Sequence, residues 1–161
     1  MHATRYRSMV LMFVMAFAAA SAFAQTPEEA VRAVIDRLFD GMRAGDSTMV
    51  RSVFHPTMAM GTTFTHRDTG APTYQEGSPD QFAEAVGTPH DQVWDERIWD
   101  VQIHVRDNLA SAWMEYAFYL GDTFSHCGVN SFQLFRSAEG WKIIYLVDTR
   151  QQQGCEVPEG E

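Results

Sequence analysis

Asp107-Asn108-Leu109-Ala110-Ser111-Ala112-Trp113-Met114-Glu115-Tyr116-Ala117-Phe118-Tyr119-Leu120-Gly121-Asp122-Thr123 holds one complete strand between two turns. Asp107-Asn108 and Gly121-Asp122-Thr123 are turn sequences, because short polar residues and glycine accept the backbone angles that tight hairpins require. Between them apolar side chains recur at every second residue, at Ala110, Ala112, Met114, Tyr116 and Phe118, which is the period of a strand with one buried face. The same period extends outward in both directions. One strand runs from Val93 to Arg106; another starts at Thr123 and is turned by Ser137-Ala138-Glu139-Gly140 into a last strand carrying Asp148. Consecutive strands joined by such short turns make an antiparallel meander.

Residues two apart share a strand face, and so do opposite residues across a hairpin, so the turns assign sides. With an unbroken register, one face collects Trp99, Val101, Ile103, Ala110, Ala112, Met114, Tyr116, Phe118, His126, Gly128, Asn130, Phe132, Leu134, Ile143, Tyr145 and Val147. Nearly all are apolar, and this face is expected to bury itself against a helix. The other face carries Asp100, Gln102, Glu115, Gln133, Lys142 and Asp148 together with Trp113, Tyr119, Phe135 and Leu146. That mixture implies partial exposure and a homodimer through the outer sheet face. A bulge in any strand would exchange the faces locally.

Upstream of the strands the period is helical. Thr26-Pro27-Glu28-Glu29 reads as an N-cap, a proline at the first helical position and a capping-box glutamate. Val31, Val34, Ile35, Leu38, Phe39 and Met42 then share one face as far as a stop near Gly45. Asp46 caps a shorter helix ending at His55-Pro56, and Ser78-Pro79-Asp80-Gln81 opens a third that stops at Gly87. Between the second and third helices, 58–65 reads as a strand followed by a Gly/Pro-rich loop.

This order, with Leu109-Ala110-Ser111-Ala112-Trp113, Tyr116-Ala117-Phe118, Ser125-His126-Cys127-Gly128-Val129 and Gly140-Trp141-Lys142-Ile143, resembles the nuclear transport factor 2-like superfamily. Val93-Trp94-Asp95-Glu96-Arg97 and Asp148-Thr149-Arg150 are similar to an exported bacterial branch of it. The resemblance spans about Pro27 to Cys155 and implies an α+β cone: a strongly curved antiparallel sheet wrapped around a long N-terminal helix, with two shorter helices. It also implies a concave end that takes a small apolar molecule, as in ketosteroid isomerases, polyketide cyclases and dehydratases, alongside relatives that only bind or dimerise. A fold of this breadth does not select among those functions. On the unbroken register the aspartates of the last strands point away from the concave face, so the carboxylate pair of the isomerases is not expected here.

The polar interruptions of the apolar face are where chemistry is easiest to place. His126 lies opposite Phe118 and diagonal to Tyr116, with Asn130 along the same side. A histidine can take a proton near neutral pH, a tyrosine hydroxyl can polarise a carbonyl and an asparagine can orient either, so His126 and Tyr116 are the candidate catalytic pair of a lyase or isomerase. The plainer reading is that His126 and Asn130 satisfy each other or the backbone inside the core. For ligand binding the candidates are Trp99, Met114, Tyr116, Phe118, His126, Asn130 and Tyr145. His55, His66, His90 and His104 fall in different elements without metal-ligand spacing, so neither a metal nor a cofactor is expected.

Residues 1–24 read as a secretory signal peptide: Arg5 and Arg7, an apolar run from Met9 to Ala20, and small residues ending in Ala22-Phe23-Ala24. The run is shorter than the roughly 20 residues a spanning helix needs. The remaining chain, 25–161, has the length of one domain with a short C-terminal tail. Losing two arginines takes the formal charge from −9 to −11, which repels nucleic acid phosphates and anionic lipid, so no nucleic acid or membrane partner is expected. Export to the periplasm or medium makes a disulfide between Cys127 and Cys155 the natural state of the two cysteines. Cys127 should pair across the last hairpin with Arg150, and Gly154 permits the reversal that returns Cys155 beside it. The leading reading is an exported binding domain for a small apolar or aromatic molecule; the alternatives are the lyase or isomerase and a noncatalytic dimerisation module.

Overall fold

A computed structural model describes residues 25–158. The signal-peptide reading of residues 1–24 lies outside them. Helix α1 (Pro27–Ala44) begins with the expected capping box: the Thr26 hydroxyl accepts from the Glu29 amide at 3.2 Å, and Glu29 Oε2 accepts from the Thr26 amide at 2.7 Å. It ends at Gly45, whose φ of 64° closes the last turn in a conformation that costs glycine little. Asp46 caps α2 (Ser47–Val53) and Ser78 caps α3 (Pro79–Gly87). The strand following α2 starts at Phe54, so the helix stops one turn before Pro56, as a residue preceding proline disfavours helix.

The strands are β1 (Phe54–Thr65), β2 (Pro72–Gly77), β3 (Trp94–Arg106), β4 (Leu109–Leu120), β5 (Thr123–Ser137) and β6 (Gly140–Arg150), in the spatial order β2-β1-β6-β5-β4-β3. The curved sheet is not closed. Three hairpins link β3 to β6 as expected, while two features add to the reading: β2 occupies part of the presumed loop and pairs antiparallel with β1, and β1 runs parallel to β6. The stripe Val31, Ile35, Leu38, Phe39 and Met42 of α1 is buried in one core with Met114, Phe132, Leu134 and Ile143 from the concave sheet face. Each such side chain contributes about 1.5–3 kcal/mol on burial, which makes this contact the main support of the domain.

Three strands of the meander shift register beyond their turns: in β5, Phe124 faces Tyr119 but His126 faces Phe118, a bulge at Ser125 that keeps the faces read from sequence, while the shifts in β3 and β6 depart from them. In β3, Trp99 pairs with Glu115 but Gln102 with Trp113, so a bulge falls at Asp100-Val101. Asp100 takes a φ of 49°, a left-handed conformation that aspartate tolerates better than most residues. In β6, Gln133 faces Tyr145 but Leu134 faces Ile143, which places a bulge at Ile144. Because the side-chain period is two, each of these last two bulges swaps faces for the rest of its strand. Trp99, Tyr145 and Val147 are therefore corrected to the outer face, the partners of Glu115, Gln133 and Ser131 respectively. Leu146 and Asp148 move the other way, opposite Phe132 and Asn130 on the concave face, and Leu146 is buried there.

Leu109, Trp113 and Phe135 lie exposed on the outer face, and Tyr119 is covered by the Arg97 guanidinium at 4.3 Å. No helix among the described residues is long and apolar enough to cross a membrane.

Candidate functional site

Cross-strand neighbours arrange the concave face in rows. The floor is apolar: Met60, Leu146, Phe132, Ala112 and Ile103 lie side by side on β1, β6, β5, β4 and β3. The next row is Thr62, Asp148, Asn130 and Met114. Above it come Phe64 beside Arg150, and Gly128 beside Tyr116 and Ile98. The top row is His126, Phe118 and Glu96. Seven polar or ionisable side chains, Thr62, Asp148, Asn130, Arg150, Tyr116, His126 and Glu96, are thus gathered above an apolar floor.

Their hydrogen bonds bind them into two groups. Asn130 Nδ2 donates to Glu96 Oε1 at 2.6 Å across the intervening strand. Arg150 Nε donates to Asp148 Oδ2 at 2.7 Å, and the Tyr116 hydroxyl, 3.2 Å from that same oxygen, donates to the Thr149 carbonyl at 2.8 Å. The Thr62 hydroxyl, next to Asp148 in its row, is buried without a partner.

A local break in the ladder makes the second group possible. Between the Asn130–Asp148 pair and the Cys127–Gln151 bridge, the Val129 amide donates to Thr149 Oγ1 at 2.9 Å instead of to a backbone carbonyl. The Thr149 carbonyl is left to turn inward over Gly128, where a Cβ would sit only 2.0 Å from it. Only glycine at 128 allows this approach, and the approach is what brings the carbonyl to Tyr116.

Burial dominates the electrostatics. It pushes the Glu96 carboxyl up to about 7, against the Asn130 hydrogen bond that favours the ionised form and with the Asp148 carboxylate adding to the rise. It lowers His126 to about 4, helped by the Arg150 charge and opposed by Asp148. It also raises the Tyr116 hydroxyl far above its ordinary range, with Asp148 and Glu96 acting in the same direction. At neutral pH, His126 and Tyr116 are uncharged and Glu96 stands near half-protonation.

These shifts predict opposing pH dependences of stability. Between the ordinary carboxylate value of 4.5 and about 7, folded Glu96 keeps a proton that the unfolded chain has released, so its contribution falls as pH rises. Between about 4 and 6.5 the unfolded chain holds a proton that folded His126 lacks, so that contribution rises with pH. Glu96→Gln should therefore unmask a steeper rise of Tm from pH 5 to 7 than the parent protein shows. Scanning calorimetry of both proteins across that range checks it; parallel Tm curves would contradict the buried carboxyl.

Of the residues singled out from sequence, Met114, Tyr116, Phe118, His126 and Asn130 lie together on the concave face, and Trp99 and Tyr145 do not. His126 meets Tyr116 edge to face, with ring centroids 5.7 Å apart, and its Nδ1 lies 3.0 Å from Ser125 Oγ. An aromatic series continues from it through Phe118 at 5.2 Å and Trp94 at 6.1 Å to His90, which stacks on Trp94 at 5.0 Å. Glu96, Asp148, Arg150 and Thr62 were missed. For Glu96 a signal existed: Trp94 and Ile98 are apolar at even positions, and Val101, Ile103 and Val105 at odd ones, so the phase changes near Asp100. For Asp148 there was none, because 143–147 is apolar throughout and either phase fits. Asp148 on the concave face overturns the expectation that the aspartates of the last strands point outward, and Glu96 joins it there.

Above the top row lies an open groove of about 1180 Å³ over the ends of β1, β2 and β6. Phe64, Tyr74, His126 and Arg150 line it, with Gln151, Gln152 and Gln153 along one side. His126 and Arg150 thus stand between the groove and the buried carboxyls. Cys127 and Cys155 form the expected disulfide, with Cα atoms 6.0 Å apart; Cys127 pairs with Gln151 rather than Arg150, the one-residue shift that the β6 bulge introduces. Among the described residues no group of three His, Cys, Asp or Glu is placed to hold a metal ion.

Residues 26–147 match the family model described as "Putative lumazine-binding". No curated protein matches the chain. Solved structures share its fold at low identity. A nuclear transport factor 2-like protein with a cystatin-like fold from Novosphingobium aromaticivorans is 13% identical, with 80% of this chain and 83% of that one covered and a TM-score of 0.60. The beta subunit of a putative aromatic-ring-hydroxylating dioxygenase from the same organism is 12% identical, with 78% and 89% covered and a TM-score of 0.62. A putative dehydratase of the nuclear transport factor 2-like family from Streptomyces avermitilis is 14% identical, with 78% and 96% covered and a TM-score of 0.56.

Proposed function

The chain belongs to the putative lumazine-binding family, within the nuclear transport factor 2-like superfamily, and from that premise we propose that it binds a planar heteroaromatic molecule of the lumazine class at the open end of its cone. The observation that carries the reading is the ionisable cluster itself. Burying the Glu96 and Asp148 carboxyls above an apolar floor, beneath the half-exposed Arg150, costs stability that a hydrocarbon core would not, and such clusters concentrate at sites where a ligand is read. A pteridine ring carries alternating N–H and C=O groups on a flat apolar body. Phe64 and His126 supply flat surfaces for the body, while Arg150 and Gln152 supply donors and acceptors for the edge. Export belongs to the same proposal, and a disulfide between the only two cysteines fits an oxidising compartment.

Titrating the purified protein with lumazine, read by fluorescence, tests this. His126→Ala should weaken binding at least about tenfold, or ~1.4 kcal/mol, while leaving most of the thermal stability in place. A large fall in Tm with unchanged affinity would make His126 a core residue and remove it from the site.

One observation favours a second reading, a cofactor-free lyase or isomerase acting on a small carbonyl compound. A carboxyl held at about 7 is matched to proton transfer at neutral pH. In that reading Glu96 carries the proton, with His126 and Tyr116 shaping the site around it, because the Tyr116 hydroxyl is already given to the Thr149 carbonyl. Deuterium incorporation next to the carbonyl of cyclohexanone, followed by NMR, should then depend on Glu96. Equal rates for the parent and Glu96→Gln would dismiss it.

A further inference from the structure

The side of the groove formed by 151–153 has little to hold it. No residue of 151–158 belongs to the buried core, and residues 151–154 are exposed. The ladder from β5 is already interrupted at Val129 and Thr149. Three ties remain. Two backbone hydrogen bonds of 2.9 Å join Cys127 to Gln151, the Arg67 guanidinium donates to Gln152 Oε1 from the far side of the groove, and the disulfide joins Cys155 to Cys127. The first two are hydrogen bonds at the open end of the ladder, the Arg67–Gln152 one exposed, each worth about 0.5–1.5 kcal/mol net, which is too little to order a segment of this length alone. Cys127, by contrast, is buried at 3% exposure on a central strand, a fixed anchor, while Cys155 is partly exposed.

We propose that the Cys127–Cys155 disulfide is a redox latch on the groove: reduction frees the 151–155 strap from β5, removes that wall and releases the ligand. The inference rests on the groove being the ligand site. The chemistry is thiol–disulfide exchange with a dithiol reductant. Its thiolate attacks the accessible Cys155 sulfur, breaking the bond to Cys127, which leaves as a thiolate and takes up a proton. The reductant's second thiol then displaces Cys155, so that two reductant thiols become one disulfide and both cysteines become thiols. The strap also bears on the chemistry beneath, since Thr149 and Arg150, which hold Tyr116 and Asp148, directly precede it.

Amide exchange by NMR on the ligand-free protein, oxidised and in excess dithiothreitol, tests the latch, and lumazine titration of the same two samples tests its consequence. In the reduced protein the Cys127 and Gln151 amides should exchange at least about 100-fold faster than core amides such as Ile35 and Phe132, because they open locally rather than with the whole domain. Lumazine should bind the reduced form at least about tenfold more weakly. Cys155→Ala, which removes the bond and leaves buried Cys127 in place, should behave as the reduced protein does. If the Cys127 and Gln151 amides keep pace with the core amides, or if reduced and oxidised proteins bind lumazine equally, the latch is overturned. Absence of lumazine binding to the oxidised protein overturns the ligand reading alone, and the exchange rates then decide whether the strap is latched.

Discussion

Gly128→Ala is expected to destabilise the domain by about 3 kcal/mol or more, at the upper end of overpacking substitutions, and to lower Tm by roughly 10 °C. The new Cβ would stand 2.0 Å from the Thr149 carbonyl oxygen and 2.6 Å from Thr149 Oγ1. Neither can give way cheaply. The oxygen is backbone on β6, a strand flanked by β1 and β5, and it accepts the Tyr116 hydroxyl; the hydroxyl accepts the Val129 amide. Relieving the overlap means breaking those bonds and leaving a buried tyrosine hydroxyl dependent on Asp148 alone, at a further cost of about 1–3 kcal/mol for an unsatisfied group. Gly77→Ala is the matched control, since its Cβ would meet the flexible Met60 side chain at 3.0 Å. Calorimetry should show the first variant strongly destabilised and the second within about 1 kcal/mol of the parent. Equal Tm values would mean that Thr149 does not turn inward over Gly128, and the Tyr116 contact would fall with it.

Loss of the disulfide is the other large effect. The bond closes a loop of sequence separation 28, and on the chain-entropy model that constraint is worth about 3–4 kcal/mol through the unfolded state. Cys127→Ala with Cys155→Ala removes it without burying a hydroxyl in place of Cys127. Urea unfolding of the oxidised protein and the double variant should show the midpoint falling accordingly, and excess dithiothreitol should move the parent onto the variant's curve without moving the variant. A shift below about 1 kcal/mol would mean that the tail contributes nothing to the constraint. This global loss is separable from the strap's local release, because one lowers the stability of every core amide and the other strips protection from Cys127 and Gln151 first.

The site illustrates how one extra residue can hide a function. His126, Asn130 and Tyr116 are visible from sequence because the bulge at Ser125 offsets the tighter turn before it, leaving β4 and β5 in the register that a three-residue turn at 121–123 implies, and a polar residue in an apolar series stands out. Glu96 and Asp148 are their partners, and both sit beyond a bulge from the turn that fixes their strand. The bulge at Asp100 leaves a trace, the shift of apolar residues from even to odd positions. The bulge at Ile144 leaves none, since five consecutive apolar residues satisfy both faces equally.

Short-range chemistry controls the capping box of α1, its buried stripe, the glycine at its end, the hairpin turns from Arg106 onward and the pairing of two cysteines, and all of these are legible in the residues alone. Each depends on residues within a few positions of one another, or on there being no third cysteine to choose. The return of β6 beside β1, the opening of the ladder at Gly128 and the meeting of Glu96 with Asn130 were decided by tertiary structure alone. Wrapping the sheet over α1 demands curvature, curvature is supplied by bulges, and those at Asp100 and Ile144 turn the carboxyls of Glu96 and Asp148 inward.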